Sequence, residues 1–231
     1  MDADSPFTTA TLEALYAAIS SPDGVTIAEL RALVGCFTTR PVADADLQAY
    51  REGRKPWKRL REEVVPVEHF LSATYPDDAR VRFPLNDQPT DAWLTVDGGT
   101  PVGIEVTGAL ARAGIEVGKS LAGGGAVPGF IALQDDAKKT AFAEARARGR
   151  IMHSAKGVDQ TIDQAIKARM AGKDKSKFAG QILLITAPIG SSPKRSADDL
   201  KAAHLAAATA LPFAKVFVAD SARGSAIVQL K

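Results

Sequence analysis

The segment from Thr90 to Thr107 reads TDAWLTVDGGTPVGIEVT. Apolar side chains alternate with other residues on both sides of the tetrapeptide Asp97–Thr100, which contains two glycines. Alternation with a period of two around an Asp-Gly or Gly-Gly pair is typical of two antiparallel strands joined by a tight turn. The segment therefore predicts a β-hairpin, and the other elements are placed relative to it.

Two carboxylates fall at matching ends of this predicted hairpin. Asp91 opens the first strand and Glu105 lies near the end of the second, so antiparallel pairing brings them together. Carboxylates held close together repel each other unless a cation or a shared proton lies between them. Mg²⁺ takes oxygen ligands, often one or two carboxylates with water and substrate phosphate. The hairpin predicts a cation site, with the alternative that Asp91 only caps the strand and Glu105 faces solvent.

Composition places the chain among ordinary globular proteins. Its 231 residues suffice for one sizeable domain, or for one domain with a helical extension. Lys and Arg (29) nearly balance Asp and Glu (27), so the overall charge does not indicate nucleic acid. Between Lys138 and Lys177, however, eleven basic residues face four acidic ones. That excess indicates either a phosphate-binding face or a solvated helix surface.

The cysteine content and the N-terminal sequence indicate the compartment. Cys36 is the single cysteine, so the chain has no internal disulfide and no Cys-rich zinc site, which fits a reducing environment. The first residues, MDADSPF, lack the basic and apolar regions of a secretory signal. No apolar run approaches the roughly 20 residues that a membrane helix needs. We expect a cytoplasmic protein that does not insert into membranes.

Local periodicity places the remaining elements. Helices are expected at 8–20, after the capping box Thr26–Glu29, at Asp44–Arg51, from Trp57 with a kink or a fresh first turn at Pro66, and at 135–148, 157–172 and 197–211. Strands are expected at 81–83, at Gln181–Thr186 as a buried run, and at 216–218 and 226–228. The glycine-rich residues 108–134 are expected to be irregular.

One further motif lies in that glycine-rich region. Ala113–Ser120 reads AGIEVGKS, which fits the loose Walker A pattern with Ala in place of the first Gly. A phosphate-binding loop of this kind needs a buried strand before it and a helix that starts at the Lys-Ser pair. Neither flank has that character, so we expect a loop beside the carboxylates. A P-loop nucleotide-binding protein stays open as an alternative.

The order helix, three strands, helix, buried strand, together with Asp91 and Glu105, resembles the PD-(D/E)xK nuclease superfamily. The resemblance implies an α/β protein with a three-layer α/β/α restriction-endonuclease-like core over residues 57–231. Residues 1–56 would then form an N-terminal helical extension. In that family an Asp opens the second core strand, and a (D/E)-x-K motif follows on the third.

The resemblance also implies roles for individual residues. Asp91 and Glu105 would hold Mg²⁺ or Mn²⁺, and the Val106 carbonyl would add an oxygen ligand. Glu62 or Glu63 would be the acid contributed by the preceding helix, with Glu62 as a metal ligand through water and Glu63 as a catalytic group. Gln160 and Lys167 would be the polar residues of the later helix, and His153 is a weaker candidate for a general base.

This sequence departs from the family pattern at one position. Thr107 stands where the family has Lys, so the motif reads Glu-Val-Thr. The family Lys positions or deprotonates the attacking water and offsets charge in the transition state, and Lys167 is our candidate for its replacement. If no Lys reaches the site, activity is weak or absent, because stabilising developing charge is a large part of phosphoryl chemistry.

The resulting hypothesis is a metal-dependent nuclease that hydrolyses phosphodiester bonds of nucleic acid, with DNA as the expected substrate. Its first alternative is a nuclease-fold protein that has lost catalysis and only binds nucleic acid or a protein partner. A non-enzymatic interaction protein is a further alternative, besides the P-loop protein. Related enzymes are often dimers, so a homodimer is also considered.

Overall fold

The computed structural model describes residues 5–86, 89–122, 129–148, 152–192, 194–220 and 226–231. The chain is a mixed α/β protein, as predicted, and it divides into two compact units. The first comprises Met1–Val106 with Gly180–Ile182, and the second comprises Thr107–Ala179 with Leu183–Lys231. Across the described ranges, no helix has the length and apolar character needed to cross a bilayer.

The first unit contains four helices and four strands among the described residues, with a π-helical turn before the last helix. The helices are α1 (Thr9–Ser20), α2 (Ile27–Thr39), α3 (Asp44–Arg51), the π-turn (Leu60–Val64) and α4 (Val65–Thr74). The strands are β1 (Val25–Thr26), β2 (Arg80–Arg82), β3 (Ala92–Thr95) and β4 (Val102–Gly108). They pair in chain order, each antiparallel to the next.

The predicted hairpin is confirmed as the pairing of β3 with β4. Ala92, Trp93 and Leu94 lie opposite Ile104, Gly103 and Val102. Asp97 and Gly98 both have positive φ (49° and 66°), and the Gly99 N–H donates to the Val96 carbonyl at 2.9 Å. A turn with positive φ at both central residues matches the right-handed twist of the strands. The Asp-Gly pair therefore forms the turn of the hairpin whose strands hold Asp91 and Glu105 close together.

The helices of this unit begin and end close to the predicted residues. Thr26 and Glu29 form the predicted capping box, in which the Glu29 N–H donates to Thr26 Oγ1 at 3.1 Å and Glu29 Oε2 accepts the Thr26 N–H at 2.7 Å. Pro66 is the second residue of α4 and follows the π-turn directly. Because residues 58–74 are helical without a break, the expected fresh first turn at Pro66 is wrong.

An aromatic cluster of Phe7, Phe37, Tyr50 and Trp57 occupies part of the first unit's core. Trp57 is 1% exposed, and its ring centroid lies 5.9 Å from that of Phe7 and 5.8 Å from that of Phe37. Its indole N–H donates to Asp46 Oδ1 at 3.2 Å. The cluster joins the N-terminal helices to the chain that begins at residue 57.

The second unit holds the other α-helices and strands of the described chain, with short 3₁₀ helices at Ser176–Phe178 and Ile189–Ser191. The helices are α5 (Ala111–Ala122), α6 (Lys139–Ala147), α7 (Ala155–Lys173) and α8 (Ala197–Ala210). The strands are β5 (Ile182–Ala187), β6 (Lys215–Asp220) and β7 (Ile227–Gln229), and β6 is antiparallel to β7. The run predicted as a buried strand is confirmed as β5, where Leu183, Leu184 and Ile185 are fully buried.

The glycine-rich region departs from the prediction. Residues 111–122 form helix α5, so the expectation of an irregular loop is wrong there. The Arg112 N–H at the start of α5 donates to Asp135 Oδ1 at 2.8 Å, a cap from 23 residues further along the chain. Because Ala113–Ser120 lies inside this helix, its N–H groups are not arranged in a phosphate-binding loop. The loop between a strand and a helix that the P-loop alternative requires is therefore not formed by Ala113–Ser120.

Two finer expectations about architecture stay predictions. They are the three-layer restriction-endonuclease-like arrangement of the core and the boundary between 1–56 and 57–231.

Candidate functional site

Asp91 hydrogen-bonds to both residues that flank Glu105 in β4. Its N–H donates to the Ile104 carbonyl at 3.0 Å, and its Oδ2 accepts the Val106 N–H at 2.7 Å. Ile104 is the register partner of Ala92, yet its carbonyl accepts the N–H of Asp91, the residue before Ala92. The pairing of β3 with β4 is therefore irregular at Asp91. Irregularities of this kind re-aim side chains and are common beside functional sites. An accepted N–H stabilises the ionised form of a carboxylate.

Glu105 is buried, with 5% of its surface exposed. A carboxylate at this depth is held by bonded or charged partners, because burial alone would disfavour its charge. Two residues earlier, Gly103 leaves room for neighbouring side chains: a Cβ there would lie 3.0 Å from the Gln181 side chain and 3.1 Å from that of Thr90. The missing side chain at Gly103 thus lets Gln181 lie over β4 next to the acidic residues.

The π-turn before α4 supplies the third carboxylate. Its bond runs from the Val65 N–H to the Leu60 carbonyl, and such turns occur frequently at functional sites. Burial, and to a smaller extent the charge of Asp91, raises the pKa of Glu63 to about 7. Glu62, one residue earlier, instead forms two ion pairs. Its Oε2 lies 3.8 Å from Lys58 Nζ, and its Oε1 lies 3.5 Å from Arg61 Nη1. The charge of Asp91 thus acts on Glu63, whereas Glu62 forms ion pairs with Lys58 and Arg61.

These groups offer the oxygen donors that a hard divalent cation prefers. Val106 donates its N–H to Asp91, and the N–H and C=O of a strand residue face the same neighbour, so its carbonyl lies on the Asp91 side. Within the described ranges, no group of three or more His, Cys, Asp or Glu side chains is arranged to enclose a metal ion. Mg²⁺ is usually held by only one or two carboxylates, water and substrate phosphate, so the donor set fits that ion.

Replacing Glu63 by Gln is expected to change how stability depends on pH. A carboxyl whose pKa rises from 4.5 to about 7 on folding stabilises the folded state below pH 4.5, and this contribution is lost as the pH rises through 7. Glu63→Gln should therefore match the wild type near pH 4. Above pH 7 it should be more stable by about 1–2 kcal/mol, after allowance for solvent screening of a half-buried group.

Urea unfolding at several pH values, without divalent cations, measures this difference. Glu62→Gln is the matched control, because it removes the neighbouring charge from a carboxylate that pairs with Lys58 and Arg61. Identical pH profiles for the two variants would contradict the assignment of the raised pKa to Glu63.

Two of the predicted catalytic residues belong to the second unit. Gln160 and Lys167 both lie on α7 with exposed side chains. The charge of Lys167 is one of those that lower the pKa of His204 on α8, although burial is the largest cause. A catalytic role of Gln160 and Lys167 beside Asp91 and Glu105 stays a prediction. His153 packs its ring edge-on against Phe130, with centroids 5.5 Å apart.

A buried polar cluster joins α7 to α8 in this unit. Asp163 Oδ1 lies 2.7 Å from His204 Nε2 and 2.8 Å from Arg195 Nη1. His204 is fully buried, and burial lowers its pKa against the opposing effect of Asp163. One turn earlier on α7, Asp159 accepts a hydrogen bond from Ser192. These contacts link α7 to the segment before α8.

Sequence analysis did not identify two residues near the acidic site. Tyr16 on α1 accepts the Leu60 N–H at 2.9 Å, and Gln181 lies over Gly103. A polar residue that opens an otherwise apolar run was an available signal for Gln181. Tyr16 had none, because its partner lies 44 residues away.

The sequence matches no family model, and neither a curated protein nor a solved structure matches it.

Proposed function

We propose that this protein is a metal-dependent nuclease with a restriction-endonuclease-like fold, acting on phosphodiester bonds of nucleic acid, with DNA as the expected substrate. The observation that supports it best is the convergence of acids in the first unit. Asp91 bonds to both neighbours of Glu105 and is electrostatically coupled to Glu63. The three acids come from two strands and one helical turn, in the chain order of the family pattern.

Each acid has a distinct task under this proposal. Asp91 is oriented by the Val106 N–H, which donates to its Oδ2, and would be the first carboxylate ligand of the cation. Glu105 is buried, so its carboxylate is protected from competition with bulk water. A bound Mg²⁺ or Mn²⁺ would lower the pKa of a water molecule and offset charge on the phosphate. Glu63, whose pKa is about 7, exchanges a proton near neutral pH and suits acid–base work beside the other two.

The second candidate function is a nuclease-fold protein that binds nucleic acid or a protein partner without cleaving it. Thr107 in place of the family Lys is the observation that favours it. Catalysis requires another cation to take over that role, for which Lys167 is our candidate. Lys167→Ala should then reduce cleavage as strongly as a change at the acids, whereas a binding module would lose no activity.

Cleavage assays with mixed DNA and RNA substrates test the proposal, with Mg²⁺ or Mn²⁺ added and then removed by a chelator. Cleavage that depends on the cation supports a nuclease and identifies the preferred nucleic acid. Binding without cleavage at any cation concentration supports the second candidate instead.

Cation affinity is expected to rise with pH. Near pH 6 most Glu63 side chains carry a proton, and the ionisation of Glu63 adds a negative charge that favours a cation held by Asp91 and Glu105. Affinity should increase up to about tenfold per pH unit below pH 7 and level off above it. Isothermal titration with Mn²⁺ between pH 5.5 and about 8.5 measures the slope. Glu63→Gln should flatten it, and a wild-type affinity that does not change with pH would contradict this effect of the Glu63 charge.

A further inference from the structure

The position of Glu63 depends on the geometry of the π-turn. A π-turn widens the backbone by one residue, because its hydrogen bond spans five residues instead of four. Here the Val65 N–H reaches the Leu60 carbonyl. A relaxation to regular α-helical pairing would rotate every later side chain about the axis by roughly 100°, the angle that separates successive residues of a helix. The π-turn therefore needs a stabilising contact at its first residue.

The Tyr16 hydroxyl makes two hydrogen bonds there. It accepts the Leu60 N–H at 2.9 Å and donates to the Pro56 carbonyl at 3.0 Å. The N–H groups at the start of a helical segment have no partner within the segment, so a side chain that accepts one of them fixes where the segment begins. The hydroxyl therefore bridges the chain before the π-turn and the first residue of the turn.

Tyr16 is itself held in place by α1. Leu12, Leu15 and Ile19 of that helix are at most 2% exposed, so the helix is anchored in the core on that face. Burial raises the pKa of Tyr16 to about 12, and the charge of Glu63 contributes to this rise. The hydroxyl thus keeps its proton at neutral pH and lies within the electrostatic reach of Glu63.

We propose that Tyr16 is a positioning residue that fixes the start of the π-turn and thereby the position of the Glu63 carboxyl. The inference deepens the proposed function, on which its consequence for activity rests. Tyr16 touches neither substrate nor cation in this role. It acts through Leu60 and the register of the turn.

Replacing Tyr16 by Phe tests the role, because it keeps the ring and removes only the hydroxyl. The direct readout is the titration of the Glu63 carboxyl by NMR in ¹³C-glutamate-labelled protein without divalent cation, with the signal assigned by its absence in Glu63→Gln. The wild-type midpoint should lie at about 7. In Tyr16→Phe it should fall by at least about one pH unit, because Glu63 moves away from Asp91 and towards water.

Tyr75→Phe is the matched control, since Tyr75 follows the C-terminus of α4 and packs its ring against Phe70 with centroids 5.8 Å apart. It should leave the Glu63 midpoint unchanged. An unchanged midpoint in Tyr16→Phe, or an equal shift in the control, would overturn the inference.

A double-mutant cycle with Mn²⁺ affinity provides the second readout. Tyr16→Phe should weaken binding about tenfold in the wild-type background and by less than about twofold in the Glu63→Gln background. Equal losses in both backgrounds would show that Tyr16 supports the fold in general and would refute the specific role. If the wild type binds no cation, the proposed function fails, whereas the NMR titration still decides the role of Tyr16.

Discussion

Asp91→Asn is expected to reduce cation-dependent cleavage by about 10³-fold while leaving the folded structure intact. The amide oxygen of Asn still accepts the Val106 N–H, whose bond to Asp91 is 2.7 Å long, so the contact between β3 and β4 is retained. The variant loses only the charge, and charge stabilisation by a metal site supplies several kcal/mol in phosphoryl transfer. The rate of substrate cleavage with Mg²⁺ or Mn²⁺ measures the loss.

Asp97→Asn is the matched control, because Asp97 lies exposed in the turn of the same hairpin and Asn tolerates its positive φ of 49°. It should cleave like the wild type. Equal activity of Asp91→Asn and the wild type would rule out Asp91 as a metal ligand. Absence of cleavage in all three proteins, with nucleic-acid binding retained, would favour the binding module.

Trp57→Ala is expected to destabilise the first unit by about 3–5 kcal/mol. The indole ring is 1% exposed and contacts the rings of Phe7 and Phe37, so its removal leaves a large cavity beside both rings. The bond from the indole N–H to Asp46 is also lost. Urea unfolding followed by far-ultraviolet circular dichroism measures the change in the free energy of unfolding.

Trp93→Ala makes the same substitution at a half-buried position in β3 and should lower the free energy of unfolding by clearly less than Trp57→Ala does. A similar loss of unfolding free energy for both substitutions would contradict the expected contribution of the aromatic cluster to stability.

The experiment also bears on the predicted boundary after residue 56. Because Phe7 and Phe37 precede that boundary and contact Trp57, a fragment starting at residue 57 should be markedly less stable than the whole chain.

Sequence reasoning succeeded where structure depends on neighbouring residues. The Asp97-Gly98 turn, the Thr26–Glu29 capping box and the apolar run of β5 are local signals, and all three are confirmed. The proximity of Asp91 to Glu105 was also predictable from antiparallel pairing, whereas the departure from regular pairing at Asp91 was not. Local chemistry therefore sufficed for the centre of the first unit.

It failed where distant residues determine the backbone. Gly114 and Gly118 lower helix propensity, yet α5 forms because Asp135 caps its start and buried residues such as Ala113 pack in the core. The π-turn has no sequence signature, and the Tyr16 hydroxyl that binds its start is 44 residues away. Without the turn, Glu62 and Glu63 are indistinguishable as candidates, since they are adjacent and chemically identical.

The two tryptophans occupy contrasting places, one enclosed by aromatic rings and the other in β3 two residues after Asp91. Trp93 is half-buried and pairs with Gly103, whose missing side chain leaves room for Gln181. Indole emission depends on the polarity and hydration around the ring. Trp93 is therefore an intrinsic optical probe of the acidic site, and a chain whose other indole is replaced by phenylalanine would report events there without any attached label.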